Sequence, residues 1–266
     1  MKKIIYILGL SHSGSTLIEY YLSSFEKSIG IGEAYKTMHA FQDGNFNRFS
    51  EFDRDRIKNI SFWQKMADSA KEYKNAKEHY IAMYDYILNS EEFSKYDLII
   101  DSSKKLEGYK ILSENFGDQV TAIVLYRDLR AWIISSIETE KRKKRPNGFG
   151  SNFKYCFIWY KTHFFINRYL KKSNSKSFKL SYDLFCLDFE NVNEYIKNKL
   201  DLNSNPDLKK TNSINILGNR MKKKAEVKLD IKYDYRWMYK SEWHLPWFLV
   251  PVIKKVNKEN VWKTFS

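Results

Sequence analysis

The sequence predicts an α/β chain: a P-loop-like three-layer sandwich with a central parallel sheet, flanking helices and a helical insertion. Three observations carry this. The apolar run Ile4–Leu8 leads through a glycine-bounded loop, Gly9-Leu10-Ser11-His12-Ser13-Gly14-Ser15-Thr16, into the amphipathic run Leu17–Phe25. Two further apolar runs, Tyr96–Asp101 and Val120–Tyr126, read as parallel strands buried on both faces. Each is followed at once by a polar turn and a helical pattern.

Taken in order, the first strand ends in a loop that aims backbone N–H groups and a helix N-terminus at an anion. Gly9 and Gly14 have P-loop spacing, yet Ser15 occupies the position of the P-loop lysine. This disfavours a nucleotide kinase or GTPase. Ser28-Ile29-Gly30-Ile31-Gly32-Glu33 is a short β-prone run broken by glycines. A carboxylate such as Glu33 is suited to act as a general base. Residues 40–95 are polar, aromatic and helix-patterned, with Phe62, Met66 and Tyr73 and then Tyr80, Met83, Tyr84 and Ile87 expected in a core.

After Asp101, Ser102-Ser103-Lys104-Lys105 is expected to begin a helix running through Leu112, at the carboxyl end of a strand where doubly wound sheets bind ligands. Arg127-Asp128-Leu129-Arg130 opens the helix after Val120–Tyr126. Ser135 lies about two turns beyond Arg127, so both can approach one ligand. Arginine offers a planar fork for phosphate, whereas Asp128 and Arg130 are expected to cap and pack. The basic run Lys141–Arg145 closes this helix before Pro146-Asn147-Gly148.

Phe153–Leu170 reads as a long helix with Phe157, Tyr160, Phe164 and Ile166 on its apolar side. Phe178–Leu180 reads as the last short strand, and Asn191–Leu200 as a helix. The tail from Asn205 is less regular. Leu245–Ile253 is too short to span a bilayer and is expected to pack in the core, with a membrane or partner patch as the alternative.

The 266 residues are expected to form one domain, 1–266, with the insertion at about 40–95 and the irregular segment at about 205–266. The net charge of +14 favours anionic partners. Cys156 and Cys186 form no paired motif and read as buried thiols in a reducing, cytoplasmic compartment, with peripheral membrane association compatible. The apolar start, ended by His12-Ser13-Gly14, reads as a strand and not a signal peptide. The five histidines lack metal-ligand spacing, so no metal is expected.

Together these segments resemble the PAPS-dependent sulfotransferases, in a bacterial, Golgi- or tyrosylprotein-like branch. The loop resembles their 5′-phosphosulfate loop, Ser102-Ser103-Lys104 a turn whose lysine contacts the sulfuryl or leaving phosphate, and Tyr126-Arg127-Asp128 through Ser135 their 3′-phosphate motif. Ser181-Tyr182-Asp183-Leu184 resembles a late Tyr-Glu-x-Leu segment, and Gly218-Asn219-Arg220-Met221-Lys222 a segment that closes over the donor.

The resemblance implies a donor, 3′-phosphoadenosine 5′-phosphosulfate (PAPS, product PAP), held by Ser11, His12, Ser13, Gly14, Ser15, Thr16, Arg127, Ser135, Tyr182, Arg220 and Lys222. It implies catalytic roles for Glu33, Lys104 and His12. His12 replaces the arginine or lysine usual before Ser-Gly. The implied acceptor is a hydroxyl on a glycan or glycolipid, or on a tyrosine peptide. An acidic acceptor suits the charge; nucleic acid is not expected. A non-catalytic polyanion binder is the rival reading from another class.

Overall fold

The computed structural model describes residues 2–145, 149–217 and 229–263, with only the backbone of 149 and 151. Its strands are β1 (Lys3–Gly9), β2 (Ser28–Gly32), β3 (Leu98–Lys104), β4 (Val120–Tyr126), β5 (Ser177–Ser181) and β6 (Ser213–Ile216). They form one six-stranded parallel sheet in the order β5-β4-β1-β3-β2-β6, flanked by helices. The α/β sandwich expected from the sequence is therefore present.

The helices are α1 (Ser15–Leu22), α2 (Ala34–Gln42), α3 (Glu51–Asn59), α4 (Ser61–Asp68), α5 (Ala76–Asn89), α6 (Leu106–Phe116), α7 (Leu129–Arg142), α8 (Phe149–Ser173), α9 (Tyr182–Leu187), α10 (Phe189–Leu200), α11 (His244–Leu249) and α12 (Pro251–Asn257). Among the described residues no helix is long and apolar enough to cross a membrane.

The chain divides into two compact units. One comprises Met1–Leu8, Thr16–Ala122 and Ser204–Leu229, the other Gly9–Ser15, Ile123–Asn203 and Asp230–Ser266. In the first, β1 pairs with β3 in a register that sets Leu8 beside Lys104, and β2 pairs with β3 with Gly32 beside Asp101. The Ile4, Ile5, Ile7, Ile99 and Ile100 side chains are buried, as a sheet covered on both faces requires.

The 40–95 segment folds as helices whose starts are chemically marked. Ser50 and Asp53 form a reciprocal capping box on α3, and Asn75 accepts from the Lys77 and Glu78 amides at 3.0 Å to start α5. Phe62, Met66, Tyr80, Met83, Tyr84 and Ile87 are buried as expected. Tyr73 is half-buried and stacks on His79 with ring centroids 4.9 Å apart.

β6 corrects the expectation that the tail is irregular after Asn205. The Arg56 guanidinium donates to the Ser213 carbonyl at 2.8 Å, the Trp63 indole N–H donates to that of Ile214, and the edge of β2 accepts the strand. Distant side chains thus define a strand too short to show a pattern of its own.

In the second unit, α8 extends beyond the expected limits at both ends, and its buried side is not the one anticipated. Cys156, Trp159, His163, Ile166 and Leu170 face inward, whereas Phe157 and Phe164 are exposed. Both assignments satisfy a helical period, because aromatic residues occupy both sides of the helix. His163 stacks on Tyr126 at 4.2 Å, and burial drops its pKa to about 4, so it packs as a neutral ring. Cys156 is a buried free thiol as expected, while Cys186 is only half-buried.

Leu245–Ile253 departs from expectation more sharply. It forms α11 and the start of α12, and the side chains of Leu245, Phe248, Leu249 and Val252 face solvent, with Pro246 and Ile253 buried.

Candidate functional site

The glycine loop between β1 and α1 is built by close approach. A Cβ on Gly9 would stand 2.8 Å from the Leu125 carbonyl oxygen. One on Gly14, at φ +93°, would stand 2.1 Å from Cδ2 of Tyr182. Both positions therefore require glycine. The Ser13 hydroxyl and amide both donate to the Leu10 carbonyl, which closes the turn. His12 sits at φ +70°.

Two side chains from the region after β4 fasten this loop from outside. The Trp132 indole N–H donates to the Ser11 carbonyl at 2.7 Å, and Arg127 Nη1 donates to the His12 carbonyl at 2.5 Å. Ser11 and His12 are exposed, whereas Ser13, Ser15 and Thr16 are buried at the start of α1.

Arg127 is buried just before Asp128, the N-cap of α7, whose carboxylate accepts from the Arg130 amide at 2.9 Å. Trp159 Nε1 donates to the Arg127 carbonyl at 3.1 Å, and the guanidinium carbon lies 5.0 Å above the Tyr182 ring. Arg127 Nη2 donates to Asp234 Oδ2 at 2.5 Å, and its Nε, also buried, has no hydrogen-bond partner among the described residues. Ser135 is half-buried farther along α7.

Asp234 is itself held by Arg236. Burial would raise this carboxyl, but the hydrogen bonds and charge from Arg236, together with Arg127, pull it down to about 2. The segment is anchored by Trp237, which packs on Ala131 and Ile134 and lies 3.9 Å from the Arg130 guanidinium carbon. Capping and packing, the roles expected of Asp128 and Arg130, are thus the contacts they make.

A second constellation lies in the first unit at the carboxyl ends of β2 and β3. β3 runs through Ser102 and Ser103 to Lys104, which corrects the expected helix start there; α6 begins at Leu106. The reason is local satisfaction of polar groups: the Ser102 hydroxyl donates to Glu19 Oε2 at 2.6 Å, and the Ser103 amide donates to Asp101 Oδ1 at 2.8 Å. Lys104 then turns at φ +69° and is buried.

Its ammonium donates to Glu33 Oε1 at 2.5 Å and to the Ser102 carbonyl at 3.0 Å, although Glu33 is 71 positions away in sequence. Lys36 donates to the other Glu33 oxygen. Burial works to raise the Glu33 carboxyl, but the charges of Lys104 and Lys36 outweigh it and hold the group below its ordinary value. Burial lowers the Lys104 pKa, opposed by Glu33.

Glu33 stands at the N-cap of α2 without capping it, so its carboxylate is committed to the lysines. Glu33 and Lys104, both anticipated from sequence, are thereby brought into contact.

Behind this pair lie carboxylates that the sequence did not reveal. Glu19 is fully buried in α1, accepts from Ser102 and from the Gly32 amide at 3.0 Å, and burial raises its pKa to about 7. Asp101 accepts the Tyr80 and Tyr84 hydroxyls at 2.6 and 2.9 Å. A lone carboxylate within Leu17-Ile18-Glu19-Tyr20-Tyr21 is the available signal for Glu19; Asp234 has none. Arg220 and Lys222 lie outside the described residues.

No protein-family model matches the chain, and no curated protein sequence matches it. Among solved structures, it is similar to a sulfotransferase domain from the curacin biosynthetic pathway, at 16% identity and a TM-score of 0.55, over 100% of this chain and 92% of that one. The chain thus has the fold of a sulfotransferase domain.

Proposed function

We propose that this chain is a PAPS-dependent O-sulfotransferase whose acceptor is a hydroxyl on a glycan or glycolipid. The observation that carries the reading is Arg127: a buried guanidinium fastened to the glycine loop, whose buried Nε has no partner among the described residues, in a chain whose loop lacks the P-loop lysine. An unpaired buried donor is costly and suits an anionic ligand. The loop fits a phosphate as well, since it turns at Gly14, φ +93°, directly into the N-terminus of α1.

In this reading the amides of residues 13–16, that of Ser13 exchanging its bond to the Leu10 carbonyl for one to the ligand, hold the 5′-phosphosulfate with the Ser11, Ser15 and Thr16 side chains. Arg127 and Ser135 hold the 3′-phosphate, with Tyr182 walling the loop and Arg220 and Lys222 adding phosphate contacts. PAPS supplies an activated sulfuryl group on a phosphate leaving group. Lys104 and His12 stabilise charge on the sulfuryl and leaving oxygens, and Glu33 takes the acceptor proton.

The Lys104–Glu33 contact gives this chemistry an order. In this reading Lys104 would turn from Glu33 towards the donor, which would leave Lys36 as the cation holding that carboxyl down and make it a stronger base. Peptidyl tyrosine is the second acceptor reading, favoured because the spacing of Gly32-Glu33 and of Ser102-Ser103-Lys104 resembles that of the tyrosylprotein branch of the sulfotransferases.

The test is metal-free calorimetric titration with PAP, ADP and ATP. Loss of a charge-assisted hydrogen bond, about 1.5–3 kcal/mol, predicts a preference of at least roughly tenfold for PAP. Glu33→Gln should abolish turnover and retain PAP binding. A Mg²⁺-dependent preference for ATP would instead indicate a kinase. Salt-sensitive polyanion binding that survives Arg127→Ala would indicate a non-catalytic binder.

A further inference from the structure

We propose that the face formed by α8, α11 and α12 docks the chain on the surface of an anionic lipid membrane. Phe248, Leu249 and Val252 are 66%, 64% and 60% exposed, and Leu245 is 46% exposed, in a segment too short to cross a bilayer. Exposed apolar side chains this close together mark an interaction surface.

The charge around them specifies its chemistry. From His244 to Asn257 the sequence holds Lys254 and Lys255 and neither aspartate nor glutamate; just beyond it Glu259 lies 4.0 Å from the Lys255 ammonium, which leaves Lys254 as the main cation of this segment. Lys254 Nζ lies 5.6 Å from the Phe248 ring centroid and 5.7 Å from that of Trp247. The ammonium therefore sits against these rings, a cation placed directly beside the apolar patch as at a headgroup boundary.

α8 packs against both short helices and repeats the pattern. It exposes Phe157, Phe164 and Phe165, carries Lys154, Lys161, Arg168, Lys171 and Lys172, and has no acidic residue from Phe149 to Ser173.

This composition selects among occupants. A purely solvated face would have no reason to expose so many apolar side chains. A second copy would oppose two basic faces, an unfavourable pairing. Nucleic acid would match the charge and could stack on Phe248, Phe157 and Phe164, but it would leave the aliphatic side chains of Leu245, Leu249 and Val252 without an apolar partner. Anionic lipid satisfies both features, with acyl chains receiving the apolar side chains and phosphates receiving the lysines. The inference is independent of the proposed chemistry.

The experiment is flotation of the purified full chain with phosphatidylcholine vesicles, with and without phosphatidylglycerol. Binding should require the anionic lipid and weaken as salt rises. Lys254→Gln with Lys255→Gln should reduce it about thirtyfold, from about fivefold per lysine. Phe248→Ser with Leu249→Ser should reduce it about a hundredfold or more, with unchanged circular dichroism because both side chains are exposed.

Lys71→Gln with Lys74→Gln removes the same charge elsewhere and should have little effect. Four results would overturn the proposal: no vesicle binding, equal binding to neutral vesicles, equal weakening by the Lys71/Lys74 variant, or a self-associated chain that buries this face and leaves vesicles unbound.

Discussion

Replacing Glu19 by glutamine should change how stability depends on pH. The wild-type carboxyl is fully buried between Ser102 and the Gly32 amide, and burial raises its pKa from 4.5 to about 7, against the lowering effect of Ser102 and Lys104. The folded state therefore binds this proton more tightly than the unfolded chain. Its contribution is fully present below about pH 4.5, declines as pH rises towards 7, and is gone above that. At 1.36 kcal/mol per pKa unit the loss is about 3 kcal/mol.

Glutamine keeps an acceptor for Gly32 and offers its amide to Ser102 Oγ, but it does not titrate. Urea denaturation of both proteins at a series of pH values isolates the difference. The stability of Glu19→Gln relative to wild type should rise by about 3 kcal/mol between pH 4 and pH 8. A difference that is flat across this window would refute the assignment of Glu19 as a buried carboxyl that is protonated at mildly acidic pH.

Gly14→Ala should cost about 2–4 kcal/mol in urea denaturation, because its Cβ meets the Tyr182 ring at 2.1 Å and its φ of +93° strains any L side chain; a cost below about 1 kcal/mol would show that the ring yields freely. Asp234→Asn should tighten PAP binding several-fold in calorimetry by weakening the carboxylate's hold on Arg127, and weaker binding would rule out that competition. Asp101→Ala should destabilise the fold by about 3–6 kcal/mol, since it leaves the Tyr80 and Tyr84 hydroxyls and the Ser103 amide without their buried acceptor; a melting temperature close to wild type would refute that accounting.

The parts of this fold that could be read from sequence are those whose cause is local. β1, β3 and β4 are apolar runs ended by turns, and the Gly9–Gly14 loop declares itself by spacing. β6 could not be read, because Ser-Ile-Asn-Ile becomes a strand only when Arg56 and Trp63 reach its carbonyls. The extension of β3 through two serines has the same character: Ser102 and Ser103 look like a helix start until Glu19 and Asp101 accept from them. The apolar Leu245–Ile253 run shows the opposite failure, since hydrophobicity reports a preference for leaving water and does not say whether protein or another phase receives the side chain.

Under the proposed function, the contact between Arg127 and the His12 carbonyl would let a P-loop-like turn dispense with the P-loop lysine. In a P-loop the cation is supplied by the residue after the second glycine, so loop and charge form together. Here Ser15 follows Gly14, and the cation comes from the turn after β4. His12 adopts φ +70°, a conformation that costs a non-glycine residue roughly 1–3 kcal/mol, while its carbonyl accepts a charge-assisted bond worth about 1.5–3 kcal/mol. These terms are of similar size, so loop shape and cation position stabilise each other and neither is indifferent to loss of the other. Nη1 is committed to the loop and Nη2 to Asp234, and the buried Nε has no partner among the described residues. Under the proposed function, Arg127 would offer Nε, and Nη2 in place of Asp234, to the phosphate while Nη1 keeps the bond that shapes the loop. Arg127→Lys should therefore fail to restore PAP affinity: a single ammonium can occupy one of these positions but cannot reproduce the fork that serves all three.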